Sequence, residues 1–511
     1  MEWATINWFV IILYFAGMLS IGIYFSKRNK STDDYFKAGG RVPTWVAGCS
    51  VYATALSSIS FIAIPASIYA NGAIMGLAPL GIIIMVVWAA LVFVPFFRKV
   101  NVTTAYEYLD KRFDPKLCYV ASLSFIIFHI IRIAVVLYLP TLALQQVLPS
   151  VDPMILVGSV ALMCVIYTSI GGIEAVVWSD AIQTIILLVG AIIIGVIGYS
   201  ASPDGLFAAF DRLAADNKTI PDSAYSFSLV GTTLVGVILG GVINSIYSYV
   251  GSQDIVQRYS ITKTTKEAQN SLFLNVPLLF SSMVIFIGMG TGLYVFFIFG
   301  ASLPANINGN AILPYFVINY IPAGLSGLII AAIFAAAQST VSSSLNAIST
   351  CVTSDLVSKA KPDMNDVIKL KVAKGVSWVI GFLSTGLALH FLNSGQGDMF
   401  LYFQAITGLF GGPIAGLFLA GIFIQRINAK AAWFGFVFSA LVAIYIGDPA
   451  GLLTTYIPGY AKPQIFEFMI SLVVILACII PAYLSSFIFV SSDEESAKVE
   501  GLTYATSHSS Y

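Results

Sequence analysis

Six hydroxyls fall close together in an otherwise apolar run, GLIIAAIFAAAQSTVSSSLNAISTCVTSDL, Gly327 to Leu356: Ser339, Thr340, Ser342, Ser343, Ser344 and Ser349. On a helix Ser339, Ser342 and Ser343 stand at i, i+3 and i+4, and Thr340 and Ser343 at i and i+3, so their oxygens share one narrow face. Hydroxyl and carbonyl oxygens are neutral, hard donors that suit a small monovalent cation, and the small Ala336 leaves its own carbonyl approachable. Hydroxyls in membrane helices also bond the carbonyl four residues back or let helices pack closely, so this band reads equally as a site or as packing.

The run AGCSVYATALSSISFIAIPASIYANG repeats that chemistry, with Thr54, Ser57, Ser58 and Ser60 followed by Pro65. The missing N–H of Pro65 leaves the carbonyl of Phe61 without its helical donor and predicts a break there. Irregular backbone at membrane depth survives only where it lines a cavity or is buried in protein. A third mixed run, GGVINSIYSYVGSQDIVQR from Gly240 to Arg258, supplies Asn244 and Tyr247 as candidate ligand contacts. Arg132, in SFIIFHIIRIAVVLYLPTLAL, has long uncharged flanks on both sides, and inserting it costs about 2.5 to 3.5 kcal/mol. Two readings of it are an anionic ligand that replaces its water and a tie to carbonyls of neighbouring helices. Asp180, in GGIEAVVWSDAIQTIILL, is expected near a helix start, where it either caps the helix or helps hold a cation. Asp254 and Arg258 are expected in a solvated or structural network at a polar helix end.

The elements that must position these residues follow from composition. The 511 residues are 58% hydrophobic and only 10% charged, with mean hydropathy +0.89 and zero net charge, whereas soluble domains carry about 25% charged residues. This is a polytopic membrane protein, and neither its charge balance nor its motifs suit nucleic-acid binding. Five scattered cysteines and three dispersed histidines offer no metal or redox spacing.

Trp8 to Tyr24 precedes Lys27, Arg28 and Lys30, the reverse of a signal peptide, and is expected to remain as a helix. Further spans are predicted near 45–69, 73–97, 117–146, 154–172, 179–200, 227–250, 271–299, 322–356, 370–392, 400–424, 430–447 and 464–490, thirteen in all. With that count, all Lys and Arg residues fall on one side except Arg212, Lys218 and Lys462 on the other and Arg132 within a span. The rich side is the cytoplasm, which puts the N-terminus outside and the C-terminus inside. The two unusual spans lie five helices apart, the separation of a five-plus-five inverted repeat whose discontinuous first helices face one another. The divisions are then an N-terminal extra helix and loop (1–44), a first repeat (45–200), an extracellular loop (201–226), a second repeat (227–425), two C-terminal helices (426–490) and a polar tail (491–511) expected to be disordered.

GGIEAVVWSDAIQ, SQDIVQRY and GLIIAAIFAAAQSTVSSSLNAISTCVTSDL resemble the signatures of the sodium/solute symporter family. RVP, ATALSSISF, AYEYLDKRFD, SFIIFHIIR and AAAQSTVSSSLN are most similar to its bacterial sialic acid symporters. The resemblance implies the leucine-transporter type of fold, with one extra helix before the core and two after it. It implies a first sodium site from the carbonyls of Ala53, Leu56 and Ala336 and the hydroxyls of Ser339 and Thr340. It implies a second from Asp180, Ser339, Ser342 and Ser343, and substrate contacts at Ser57, Ser60 and Arg132. Where the sialic acid relatives have a hydroxyl residue before LSS this chain has Ala55, and Met75 and Pro79 stand near positions that hold an aromatic residue and a Gln there.

The expected function is a sodium-coupled symporter, working as a monomer in a bacterial plasma membrane and importing a carboxylated sugar, N-acetylneuraminic acid first, with two sodium ions. Another small carboxylate such as an amino acid is the alternative substrate, and proton coupling through Asp180 the alternative driving force. An enzyme would need a nucleophile with a base or a metal cluster, a channel no broken helices, and a sensor an appended domain.

Overall fold

Capping residues set where the long apolar segments begin. Side chains of Asp114, Asp152, Thr233 and Asn428 accept from the amides of Leu117, Met154, Gly236 and Ala431, and Pro115 and Pro153 open two of these helices. The computed structural model describes residues 4–27, 31–226, 228, 230–305, 307, 309–394, 399–448, 452–491 and 499–508, among which there is no strand. Its main elements are α1 (Thr5–Ser26), α2 (Thr44–Ala55), α3 (Ile59–Asn71), α4 (Ala73–Val100), the short α5 (Ala105–Arg112), α6 (Pro115–Val147), α7 (Pro153–Tyr199), α8 (Leu234–Gly251) and the short α9 (Gln253–Val256). They continue with α10 (Thr265–Phe299), α11 (Leu325–Ala360), α12 (Asp366–Ser394), α13 (Met399–Phe423), α14 (Ala429–Gly447), α15 (Glu467–Ser485) and the terminal α16 (Tyr504–His508).

Among the described residues eleven helices are long and apolar enough to cross a membrane, or twelve when the bent pair α2–α3 counts as one span. The difference from the expected thirteen lies in α7, which counts once here. The spans predicted at 154–172 and 179–200 are two helical segments that meet directly at a kink at Gly172, with no loop between them, over the 47 residues of α7. Gly172, at φ 60° and ψ −165°, is not helical and kinks the chain between the two segments, a conformation that glycine adopts without penalty. The residues just after it, Ile173, Val176 and Val177, pack on Val42, Val46 and Ala47, which draws the intended loop into helix.

The hydroxyl-bearing α11 is the centre of the bundle: 89% of its most apolar window is buried, against 28% for α1. It packs against α1, α6, α7 and α12, while α8 packs on α4 and α15, and α14 and α15 pair outside. Backbone contact at glycine brings α4 and α8 together. A Cβ on Gly81 would lie 2.1 Å from the carbonyl of Ile238, and one on Gly241 2.4 Å from that of Ala78, so only glycine permits this crossing.

Two expectations are corrected here. The break in the second span lies at Leu56–Ser58, where α2 and α3 meet at 60°, not at Pro65. Pro65 follows a wide turn, Ile59–Ala63, and opens the next helical segment. Pro95 after Ala89–Phe93 and Pro413 after Thr407–Gly411 do the same. The extra residue of each turn lets proline sit where no helical N–H is needed. The described part of the tail is also ordered. Tyr108 donates to the carbonyl of Leu502 at 3.0 Å, Tyr504 packs on Phe423, and Thr503 is fully buried. Residues 492–498 and 509–511, Arg28 and Lys30 of the first loop, and Phe227 and Leu229 at the expected start of the seventh span lie outside the described residues.

Candidate ion and ligand site

Two helices break with nearly the same backbone. Leu56 (φ −95°, ψ 124°) ends α2 and Ser252 (φ −96°, ψ 116°) ends α8. At the first break the amide of Leu56 closes on the Tyr52 carbonyl at 3.0 Å. The amide of Ser57 turns to the Ser60 hydroxyl, and that of Ile59 to the Ser57 hydroxyl. Ser58 ties the break to α6 by donating to the carbonyl of Val136 at 2.9 Å. At the second break the carbonyl of Gly251 accepts from Tyr106 at 2.7 Å, and Gln253 accepts from the amide of Ala105 at 2.7 Å, so α5 clamps this break from one end of the molecule.

α11 runs past the first break. The hydroxyl of Ser339 lies 3.1 Å from both the Ala53 and the Ala336 carbonyl, which brings three of the expected first-site oxygens together. The Thr340 hydroxyl on the same turn is fully buried and has no partner. Leu56 is the extended residue itself. These are neutral oxygens converging at a helix break, the donor set that suits a small monovalent ion.

The expected second group is assembled differently. Asp180 is buried eight residues past Gly172, within α7, so it caps nothing. Its Oδ2 accepts from Ser50 at 2.5 Å and from Arg258 at 3.1 Å, while Oδ1 has no partner. Ser343 accepts from Arg258 at 2.7 Å and lies 3.1 Å from the Thr54 hydroxyl, and Ser342 donates to the Ser339 carbonyl at 3.2 Å.

Arg132 is not left alone either. It donates to Asp254 at 2.7 Å and to the carbonyl of Thr54 at 2.7 Å. Asp254 and Arg258, expected in a solvated or structural network at a polar helix end, form a buried network as partners of Arg132 and Asp180, because the break at Ser252 folds α9 into the core. Ser252 donates to Asp254 at 2.5 Å, and His129 bridges Ser252 and Ser344 at 3.3 and 3.0 Å.

Between the breaks lies a cavity of about 140 Å³ lined by Ser57, Ser60, Arg132, Asn244 and Tyr247, all five of the expected ligand contacts. Among the described residues four side-chain polar atoms of its lining residues have no partner: Arg132 Nε, Asn244 Nδ2 and the Tyr247 and Tyr249 hydroxyls. Asn244 is oriented by Ser471 of α15, which donates to its Oδ1. The wall also contains Phe128, Gln404 and Thr407, with the Phe403 ring 5.9 Å from the Arg132 guanidinium. Sequence reading passed over Gln404 and Thr407, although two polar residues at i and i+3 in an apolar span are the same signal that marked α11.

The model of the sodium:solute symporter family matches residues 35–438. The chain belongs to this family. It is 41% identical over 453 residues to the sodium/sialic acid symporter SiaT of Proteus mirabilis, covering 87% of this chain and 90% of that one. It is 37% identical over 480 residues to the sodium/sialic acid symporter NanT of Aliivibrio fischeri, covering 91% and 94%. A solved structure described as the substrate-bound outward-open state of a Na+-coupled sialic acid symporter superposes with TM-score 0.87 at 38% identity, covering 95% of this chain and 98% of that one. A nucleobase-cation-symport-1 family transporter in a closed conformation superposes at 0.58 with 15% identity, covering 91% and 97%. This last likeness carries the fold alone, and the helices follow the leucine-transporter architecture; membership of the symporter family makes the chain a transporter, not an enzyme.

Proposed function

We propose that this family member is a sodium-coupled symporter that imports a carboxylated sugar, N-acetylneuraminic acid first, across a bacterial plasma membrane. The observation that carries the reading is Arg132, a buried guanidinium on the wall of a cavity flanked by two helix breaks, with Nε free to donate. A carboxylate gains charge-assisted hydrogen bonds from such a group that a neutral sugar does not. Asn244 Nδ2 and the Tyr247, Ser57 and Ser60 hydroxyls serve the remaining oxygens. The names of the similar bacterial symporters point to the same substrate. Ala55, Met75 and Pro79 all line the cavity, so the departures from those relatives bear on how the sugar is held rather than on the carboxylate partner.

Two sodium ions accompany each substrate, the first on Ala53, Leu56, Ala336, Ser339 and Thr340, the second on Asp180, Ser339, Ser342 and Ser343. Sodium and substrate are coupled because both stabilise the same arrangement of the two breaks, a matter of linked binding free energies. The protein crosses the membrane thirteen times and acts as a monomer, with the N-terminus outside. A helix of 47 residues would run about 70 Å at 1.5 Å per residue, more than twice the roughly 30 Å hydrocarbon core, so α7 supplies two spans on either side of Gly172. The five-plus-five repeat then comprises residues 45–200 and 227–425, and the matching backbone of Leu56 and Ser252 supports it.

Uptake of labelled N-acetylneuraminic acid into vesicles, with sodium and proton gradients imposed separately, tests the reading. Accumulation driven by sodium alone is expected. Accumulation driven only by protons would assign the coupling to Asp180 instead.

A further inference from the structure

Two carboxylates and two guanidiniums lie buried together at the level of the breaks, and their charges cancel. Asp180 pairs with Arg258 at 3.1 Å and Asp254 with Arg132 at 2.7 Å, with side chains between 0% and 10% exposed. A single charge added to such a cluster stays uncompensated in a poorly solvated place. Within it, one atom of Arg258 holds an unusual position. Its Nη2 stands 2.7 Å from the Ser343 hydroxyl and 3.1 Å from Asp180 Oδ2, which is where a cation shared by the carboxylate and the hydroxyl band would sit. The other terminal nitrogen donates to the carbonyl of Asp254, whose carboxylate holds Arg132 on the cavity wall.

We propose that Arg258 is an internal competitor of the second sodium ion: its guanidinium fills that position while the cavity is empty and cedes it when a substrate carboxylate takes Arg132. The proposal rests on the sodium-coupled reading above. Once Arg132 turns to the substrate, Asp254 loses its cation. Arg258, one turn further along the chain, is the nearest replacement. Its move to Asp254 uncovers Asp180 and Ser343 for sodium. Substrate carboxylate and ion therefore enter the neutral cluster as a neutral pair, and each strengthens the binding of the other by the same factor. The first ion, on neutral oxygens, is outside this exchange.

The test is sodium binding by purified Arg258→Gln, read as ²²Na⁺ retention and as the sodium-dependent rise in melting temperature at constant ionic strength. A competitor reduces apparent affinity by the fraction of molecules in which the site is free; if that is about one in ten, removing it lowers the half-saturating sodium concentration about tenfold. Sialic acid, which should sharpen sodium binding in the wild type, should add less in the variant, where only coupling through the breaks remains. Wild-type or weaker sodium affinity in Arg258→Gln overturns the proposal. If the single variant does not fold, Asp180→Asn/Arg258→Gln carries the test: it should keep one sodium response, coupled through the breaks alone, that sialic acid strengthens less than in the wild type, and strengthening as large as in the wild type overturns the proposal. A wild type with no sodium response at all would instead remove the sodium-coupled reading, and this inference with it.

Discussion

Arg132→Ala removes a guanidinium that does two things, and the structure separates their costs. Its Nη1 is the cation on Asp254 Oδ2 at 2.7 Å, and the Asp254 side chain is fully buried. Truncation leaves that carboxylate with Ser252 on its other oxygen, and breaking a buried pair in this way costs about 3 to 5 kcal/mol of stability. The second cost falls on the ligand. Losing the buried partner of a bound carboxylate takes away about 2 to 5 kcal/mol of affinity, which at 1.4 kcal/mol per tenfold is a loss of about 30-fold at the lower end. Arg132→Ala/Asp254→Asn neutralises both partners and should recover much of the folded protein without recovering affinity. Arg132→Lys should restore only part, because an ammonium lacks the planar fork. Calorimetric titration of sialic acid into monodisperse double variant is the assay, with neutral N-acetylmannosamine as the control that should bind wild type and variant equally poorly. Wild-type affinity for sialic acid in that sample would show that Arg132 only ties α6 to the second break, and would refute the choice of an acidic substrate.

Thr340→Val removes a buried hydroxyl that bonds nothing in the protein, so the melting temperature in sodium-free buffer should hardly change while the sodium concentration for half-maximal transport rises. An unchanged sodium dependence would take Thr340 out of the first site. Gly81→Ala would put a methyl 2.1 Å from the Ile238 carbonyl, and overpacking of this kind costs about 1 to 3 kcal/mol; yield and melting temperature should both fall, and a variant as stable as wild type would contradict the close α4–α8 crossing. Tyr106→Phe removes the donor to the Gly251 carbonyl, which loosens the clamp of α5 on the second break. Cysteine labelling at positions on that end of the cavity should speed up, and an unchanged rate would show that the clamp does not hold this end shut.

The parts of the site legible in the sequence were those whose signal is local. Hydroxyls at helical spacing in an apolar run marked Ser339 to Ser343, and polar residues amid apolar neighbours marked both broken spans. The ion pairs were not legible, because Arg132 and Asp254 are 122 residues apart and Arg258 and Asp180 78 apart; a break at Ser252, not composition, brings them together. Pro65 was a misleading local signal, since a wide turn absorbs it and the chain opens at Leu56 instead. Asp180 was read as a helix start because a loop was assumed over 173–178, whereas the second segment of α7 begins directly after the kink at Gly172. The tail is polar by composition, yet Leu502 and Tyr504 give it enough contact to dock on Tyr108 and Phe423.

The most direct measurement of the coupling is the paired flux of ²²Na⁺ and labelled N-acetylneuraminic acid into proteoliposomes, with substrate-induced current recorded on the same preparation. Two sodium ions entering with one monoanion carry one positive charge inward, about 2.3 kcal/mol per 100 mV of membrane potential, so two sodium ions per sugar and an inward current are expected. Sugar uptake without accompanying sodium flux would contradict sodium coupling, and transport intact at saturating sodium with no current would reject the second ion.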